Sequence, residues 1–306
     1  MKNLITLLLL SIGLSVNAQL ASVTEGGNTG QRLSVSNAAN HGDIGNNAVD
    51  LSYSGASSTT RGATGEWSTA MGYFTTASGT ISTAIGHATT ASNYASTAMG
   101  NETTASGYSS TTMGLRTTAI GDYATAIGNN STASEYSSTA MGQSTEASGG
   151  VSTAMGYQTQ ASGFYSTAMG RESTASGDYS TAMGVSTTAS GGWSTAMGYI
   201  TTAFGGNSTA MGYATTASDY ASTVIGHYNS SGSTETSATS FSSSAPAFVI
   251  GNGTDGSNLS DAFKVMFNGD ATVSNDLTVN GDVTVSSDAR LKANIVSLGA
   301  TLSKLS

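Results

Sequence analysis

Few residues in this chain could do chemistry. His41, His87 and His227 are far apart, and none stands in a spacing that suits a metal ligand set. Cysteine is absent, so the chain has no thiol nucleophile, no disulfide framework and no lipid-bearing cysteine. Neither a Gly-x-Gly-x-x-Gly run nor a phosphate-cradling Gly-Lys-Ser/Thr run occurs. No cofactor is expected. One stretch of the tail, Ser286-Ser287-Asp288-Ala289-Arg290-Leu291-Lys292, brings hydroxyls close to basic groups. A lysine whose pKa is lowered by burial can take the proton of a serine hydroxyl. The bland reading is a surface helix from Ala289 to Leu305.

Most of the chain is built for contact instead. Ser68-Thr69-Ala70-Met71-Gly72 returns after fourteen residues as Ser82-Thr83-Ala84-Ile85-Gly86, and then ten more times down to Ser222-Thr223-Val224-Ile225-Gly226. Twelve copies without an insertion are a repeat architecture. Each 14-mer splits into two sevens, one reading Thr-Ala-Met-Gly and the other Thr-Ala-Ser-Gly. A coiled coil is excluded, because a glycine recurs in nearly every seven and charged flanking positions are missing. Threonine favours strands, so one 14-mer reads as one coil of two short strands joined by glycine turns.

The columns assign directions. Alanine holds ten of twelve first-half positions and all eleven second-half positions, from Ala77 to Ala217. Small residues from two strands can face each other inside a thin coil. The next residue points the other way. In the first half it is always Met or Ile: Met71, Met99, Met113, Met141, Met155, Met169, Met183, Met197 and Met211, with Ile85, Ile127 and Ile225. In the second half it is Ser, except at Ile120 and Phe204. Those two are either local contact points or substitution drift. The alternative places Met inside a wider coil and leaves the Ala columns without a steric reason. An outward Met/Ile stripe is more apolar surface than a soluble monomer normally shows, so it is expected to pack on copies of itself.

Aromatic residues collect at one corner: Tyr94, Tyr108, Tyr123, Tyr136, Phe164, Tyr165, Tyr179, Trp193 and Tyr220. A second set, Tyr73, Tyr157, Tyr199 and Tyr213, follows the first-half Gly. These rings either fill gaps between subunits or form an adhesive ladder, with Tyr108, Tyr136, Tyr179 and Trp193 as candidate binding residues. The Thr76 and Ser78 columns form a hydroxyl array. That leaves an ice- or mineral-binding solenoid as a further reading, although Glu146 and Gln160 break the Thr column.

The repeat Ser-Thr-Ala-Met-Gly-x-x-Thr-x-Ala-Ser-Gly resembles the YadA-like head repeats of trimeric autotransporter adhesins over about residues 67–228. In that family the motif reads Ser-Val-Ala-Ile-Gly-x-x-Ser. Here Thr69 stands for its Val, and Met mostly for its Ile. The resemblance implies a left-handed parallel β-roll, three chains per particle and surface attachment, with the Met column at the trimer interface. The tail motif in turn resembles the start of the intramolecular chaperone domain of phage endosialidases and tail spikes. That family trims itself with a Ser/Lys dyad. The resemblance assigns Ser287 as nucleophile and Lys292 as base, with cleavage between Ser286 and Ser287.

The expected organisation follows. Residues 1–18 read as a secretory signal, with Lys2, an apolar run from Leu4 to Val16, and a small-residue site at Val16-Asn17-Ala18. That run is too short to span a membrane. Residues 19–66 form an N-terminal cap, 67–228 the β-roll, and 229–245 a Ser/Thr-rich loop. Residues 246–286 form a β-rich neck, in which Phe248-Val249-Ile250-Gly251 echoes the repeat. Residues 287–306 begin the chaperone domain, with a short helix. The fold class is all-β. The net charge of −9 disfavours nucleic acid as a partner. An exported homotrimer that attaches to an extracellular protein or glycan surface is the leading function. A self-processing peptidase on a fibre protein is the alternative.

Overall fold

The computed structural model describes residues 20–232 and 236–280. The expected signal peptide (1–18) and terminal helix (Ala289–Leu305) lie outside them. Every 14-mer makes one coil. A long strand such as Thr69–Tyr73 leads to a short strand such as Thr76–Ala77, and then the next long strand, Thr83–His87, begins. Each strand pairs in parallel with its copy fourteen residues on, without a register shift: Thr69 with Thr83, Ala70 with Ala84, Met71 with Ile85. The result is a two-sheet solenoid. Among the described residues one sheet has 18 strands and the other 12. The two ladders supply most backbone hydrogen bonds, for example Thr69 N–H to Ser82 O at 2.9 Å and Thr76 N–H to Thr89 O at 2.8 Å. Each contributes about 1 kcal/mol net, so stability accumulates coil by coil.

The core is thin and made of small residues. Ala70 and Ala77, with their repeats, are fully buried, as the columns require. The sequence reading missed two further interior columns. Ser68 and Thr75, with their copies, stand at the corners and are also buried. Some corner hydroxyls bond locally, as Ser110 Oγ donates to Gly107 O at 2.8 Å and Ser138 Oγ to Glu135 O at 2.7 Å, while others, such as Ser68 and Thr75, are buried without a partner.

The glycines do not make the turns in the way expected. Each corner turns on a left-handed residue that is not glycine, such as Phe74 (φ 57°), Ile81 (φ 61°) and Ala88 (φ 51°). The cost of this conformation is about 1–2 kcal/mol per residue. It is offset by a bond to the preceding coil, as Ala88 N–H donates to Tyr73 O at 2.8 Å and Ala95 N–H to Thr80 O at 2.9 Å. The first-half Gly sits inside the long strand. At Gly142, φ is +136°, and an added Cβ would overlap the carbonyl oxygen of Gly156 in the next coil. Stacking at this distance excludes a side chain.

The parallel sheet runs on past both ends of the regular repeat. Val49–Tyr53 pairs in register with Thr69–Tyr73, and Gly62–Ala63 pairs with Thr76–Ala77. Phe248 to Gly251 pairs residue for residue with Thr223 to Gly226. An antiparallel strand then closes each end. Leu20–Glu25 folds back on Asn28–Leu33, and Asp261–Met266 on Pro246–Asn252. The described residues up to Thr272 form one compact unit, and those from Val273 belong to a second.

Candidate adhesive surfaces

The long-strand sheet carries the Met/Ile column on its outer side. Met71 and Met113 are 40% exposed, and Met141, Met155 and Met183 are 37–38% exposed. Met99, Met169, Met197 and Met211 are half-buried in the same column. Register extends the stripe at both ends, pairing Leu51 with Met71 and Ile225 with Ile250. Fourteen large apolar residues therefore line up over roughly 60 Å at ~4.8 Å per strand. Alternation within the strand produces this, since Thr69 and Met71 lie on the opposite side from buried Ala70.

The corner after each short strand carries the rings, and the structure resolves them into two adjacent columns. Tyr94, Tyr108, Tyr136, Phe164 and Tyr220 occupy one. Tyr123, Tyr165, Tyr179 and Trp193 occupy the next, at the left-handed turn residue. Rings of one column stack: Tyr94 on Tyr108 at 5.0 Å, Tyr165 on Tyr179 at 5.2 Å, and Tyr179 on Trp193 at 5.4 Å with planes 2° apart. Rings of different columns meet edge to face, as Tyr108 with Tyr123 and Tyr123 with Tyr136. The coil rise sets the stacking distance. The candidates Tyr108, Tyr136, Tyr179 and Trp193 are all exposed, but they fall in two groups. Gly149-Gly150-Val151 carries no ring and separates Tyr136 from Tyr165.

The opposite corner holds a second ladder that includes two histidines. Tyr53, Tyr73 and His87 stack in sequence, with His87 5.5 Å from Tyr73. Tyr199, Tyr213 and His227 do the same, with His227 4.6 Å from Tyr213. Tyr228 hydrogen-bonds Tyr213, which lifts its phenol above the usual value of 10.0. On the flank of this corner Arg116 pairs with Glu102 of the preceding coil at 2.8 Å, and the guanidinium holds that carboxyl below its usual range.

His41, by contrast, belongs to a buried cluster that sequence reasoning missed. Asp50 occupies the Ala column, opposite Ala70, and is fully buried. It accepts bonds from Arg32 Nε at 3.2 Å and Ser52 Oγ at 2.6 Å, and lies 3.2 Å from His41 Nδ1. Arg32 also reaches Glu25 Oε1 at 2.7 Å and Gly42 O at 2.9 Å. Burial pushes the Asp50 carboxyl up, but its bonds with His41 and Ser52 outweigh that and leave it below the usual value of 3.8. The signal was a charged residue in a column that is otherwise small and neutral. The cluster ties the N-terminal hairpin to the first coil, which is a structural role.

Ser287 and Lys292 lie outside the described residues. No helix among the described residues is long and apolar enough to cross a membrane.

Two parallel sheets, an alanine core and an outward apolar stripe define a parallel β-solenoid. The sequence matches the family described as the YadA head domain repeat (2 copies) in ten segments between residues 63 and 229. The chain belongs to that family. No curated protein matches the chain.

Proposed function

We propose that the chain is the head of an exported, trimeric, adhesin-like surface protein. The observation that carries this is the unbroken Met/Ile stripe on the long-strand sheet. Left in water it would be an apolar strip far longer than a soluble monomer carries. Three copies of this chain around one axis cover it, and membership of the head-repeat family supports the number three. The corner rings then supply attachment. They repeat along the rod, so a partner surface of protein or glycan meets many weak contacts at once, and avidity follows without a single strong site. Light scattering on the purified mature chain tests the assembly and should give three times the monomer mass. A stable monomer would remove the basis of this reading.

A further inference from the structure

Phe204, which interrupts the Ser column, lines a cleft where the regular ladder of rings is broken. The ring column of Tyr108 and Tyr136 holds Gly192 and Gly206 here. Their backbone forms a floor without side chains. Trp193, 63% exposed, stands on one side. Phe204 also lines the cleft, and Tyr220 follows Gly206 in the next coil. The segment 237–239 roofs the space, which holds about 680 Å³, within the usual range for a small-molecule site.

The roof is held by the coils beneath it. Gly206 N–H donates to Ala238 O, and Tyr220 N–H to Ser237 O, each at 2.8 Å. The buried Asp219 carboxylate accepts the backbone N–H groups of Thr236 and Ser237. The excursion that breaks the 14-residue register is thus tied down over the successive glycines Gly192 and Gly206. Gly206 admits this packing, since an added Cβ would press on the Tyr220 ring at 3.2 Å.

We infer that this cleft binds a neutral pyranose, presented as a terminal sugar of a glycan. An exposed indole offers a flat apolar face for the axial C–H groups of a sugar ring. Around it stand the Asn207 carboxamide and the Ser190 and Thr239 hydroxyls, none engaged in a hydrogen bond with another described residue. They match the alternating donors and acceptors of a sugar edge. Among the described residues no charged side chain lines the space, and the chain carries −9 overall, so sulfated and sialylated sugars are disfavoured. The inference deepens the attachment reading and rests on it for the biological setting. It adds one discrete sugar site per chain to the repeated ring contacts.

The test is done in solution, apart from any attachment assay. The chain has two tryptophans, so Trp67→Phe leaves Trp193 as the sole reporter. The full chain carrying that change is titrated with the methyl pyranosides of glucose, galactose, mannose and their N-acetylated amines. Indole emission and saturation-transfer NMR follow binding. At least one sugar should saturate with Kd below about 10 mM, which corresponds to roughly −2.7 kcal/mol. Gly192→Tyr should fill the cleft and weaken binding at least tenfold, and Phe204→Ser should do the same. Both restore residues that other coils already carry at these positions, so circular dichroism should be unchanged. Asn207→Ala provides a third, smaller change should either fold poorly. Gln143→Ala, exposed and remote from the cleft, should bind like the parent. Absence of saturation by every sugar, binding restricted to sialylated or sulfated sugars, or undiminished binding by Gly192→Tyr would each overturn the inference. Loss of surface attachment on removal of Tyr108 and Tyr136, with sugar binding intact, would leave the cleft standing and bear only on the ladder.

Discussion

Gly142 and Gly149 look alike in the sequence and do different work. Gly142 combines a left-handed φ of +136° with a Cβ position already filled by the next coil. Gly142→Ala should cost about 3 kcal/mol, from strain and overpacking together. Gly149 stands at the other corner; an added Cβ there would also meet the next coil, at Gly163 O, but its φ is not left-handed, and Asn93 and Glu135 carry side chains in the same column. There the amide turns to a serine hydroxyl, as Asn93 N–H donates to Ser96 Oγ and Glu135 N–H to Ser138 Oγ, both at 3.2 Å. Gly149→Asn should therefore cost less than about 1 kcal/mol. Denaturant midpoints of the two variants decide this, and equal losses would mean that the strand glycine has no special constraint. Asp50 makes a second prediction at this scale. Its carboxyl lies below the usual 3.8 in the folded chain, so its stabilising contribution is complete above that value and is lost as pH falls through the folded value. Melting temperature should hold between pH 7 and 4 and fall below about pH 3.8. Asp50→Ala should destabilise the N-terminal cap by about 3 kcal/mol already at neutral pH, since Arg32 loses a buried partner. Hydrogen exchange in residues 28–53 that is unchanged by the substitution would refute it.

Ends matter more than middles among the elements. A parallel sheet of in-register strands can add another strand at either edge. The hairpin Leu20–Leu33 occupies one edge, and its outermost strand is only six residues long. A chain that starts at residue 48 leaves Val49–Tyr53 as the edge. It should self-associate further with concentration, which sedimentation velocity would detect. A truncated chain that sediments as one species, of the same stoichiometry as the parent at all concentrations, would show that the hairpin is dispensable. At the other end the excursion 236–245 and the strand Asp261–Met266 serve the same purpose. The excursion also roofs the aromatic cleft.

The whole molecule is organised by two kinds of surface. The Met/Ile stripe is continuous and uniform, which suits copies of itself. Replacing Met155 and Met169 by Asp should dissociate or unfold the particle, because each would place an unpaired charge in the contact. Light scattering and circular dichroism together measure this, and an intact trimer would remove the stripe from the interface. The corner rings are discontinuous and exposed. Removing one of Tyr108, Tyr136 and Tyr179 should barely change attachment to a surface, while removing all three should weaken it severely in a still-folded particle. Trp193 is the exception, since it also lines the cleft, and its loss alone should abolish sugar recognition.

The period, the two strands per coil, the buried alanines and the outward methionines were all legible from residue columns. They are set by local alternation, which repeats twelve times and so averages out accident. The echo of the repeat at Phe248 to Gly251 was legible for the same reason. The glycine assignment was not, because the restriction at Gly142 comes from the coil above and not from its own turn. Left-handed turns at residues as bulky as Phe74 and Ile81 run against local preference, and only bonds between coils hold them. Asp50 stood out as a charge in the alanine column, but its partners Arg32 and His41, up to 18 residues away, lie outside the regular repeat, so no column revealed them. The split of the rings into two columns and the roof over Gly192 and Gly206 likewise depend on how successive coils stack. Repetition wrote the rod into the sequence, and the breaks in repetition acquired their meaning only in three dimensions.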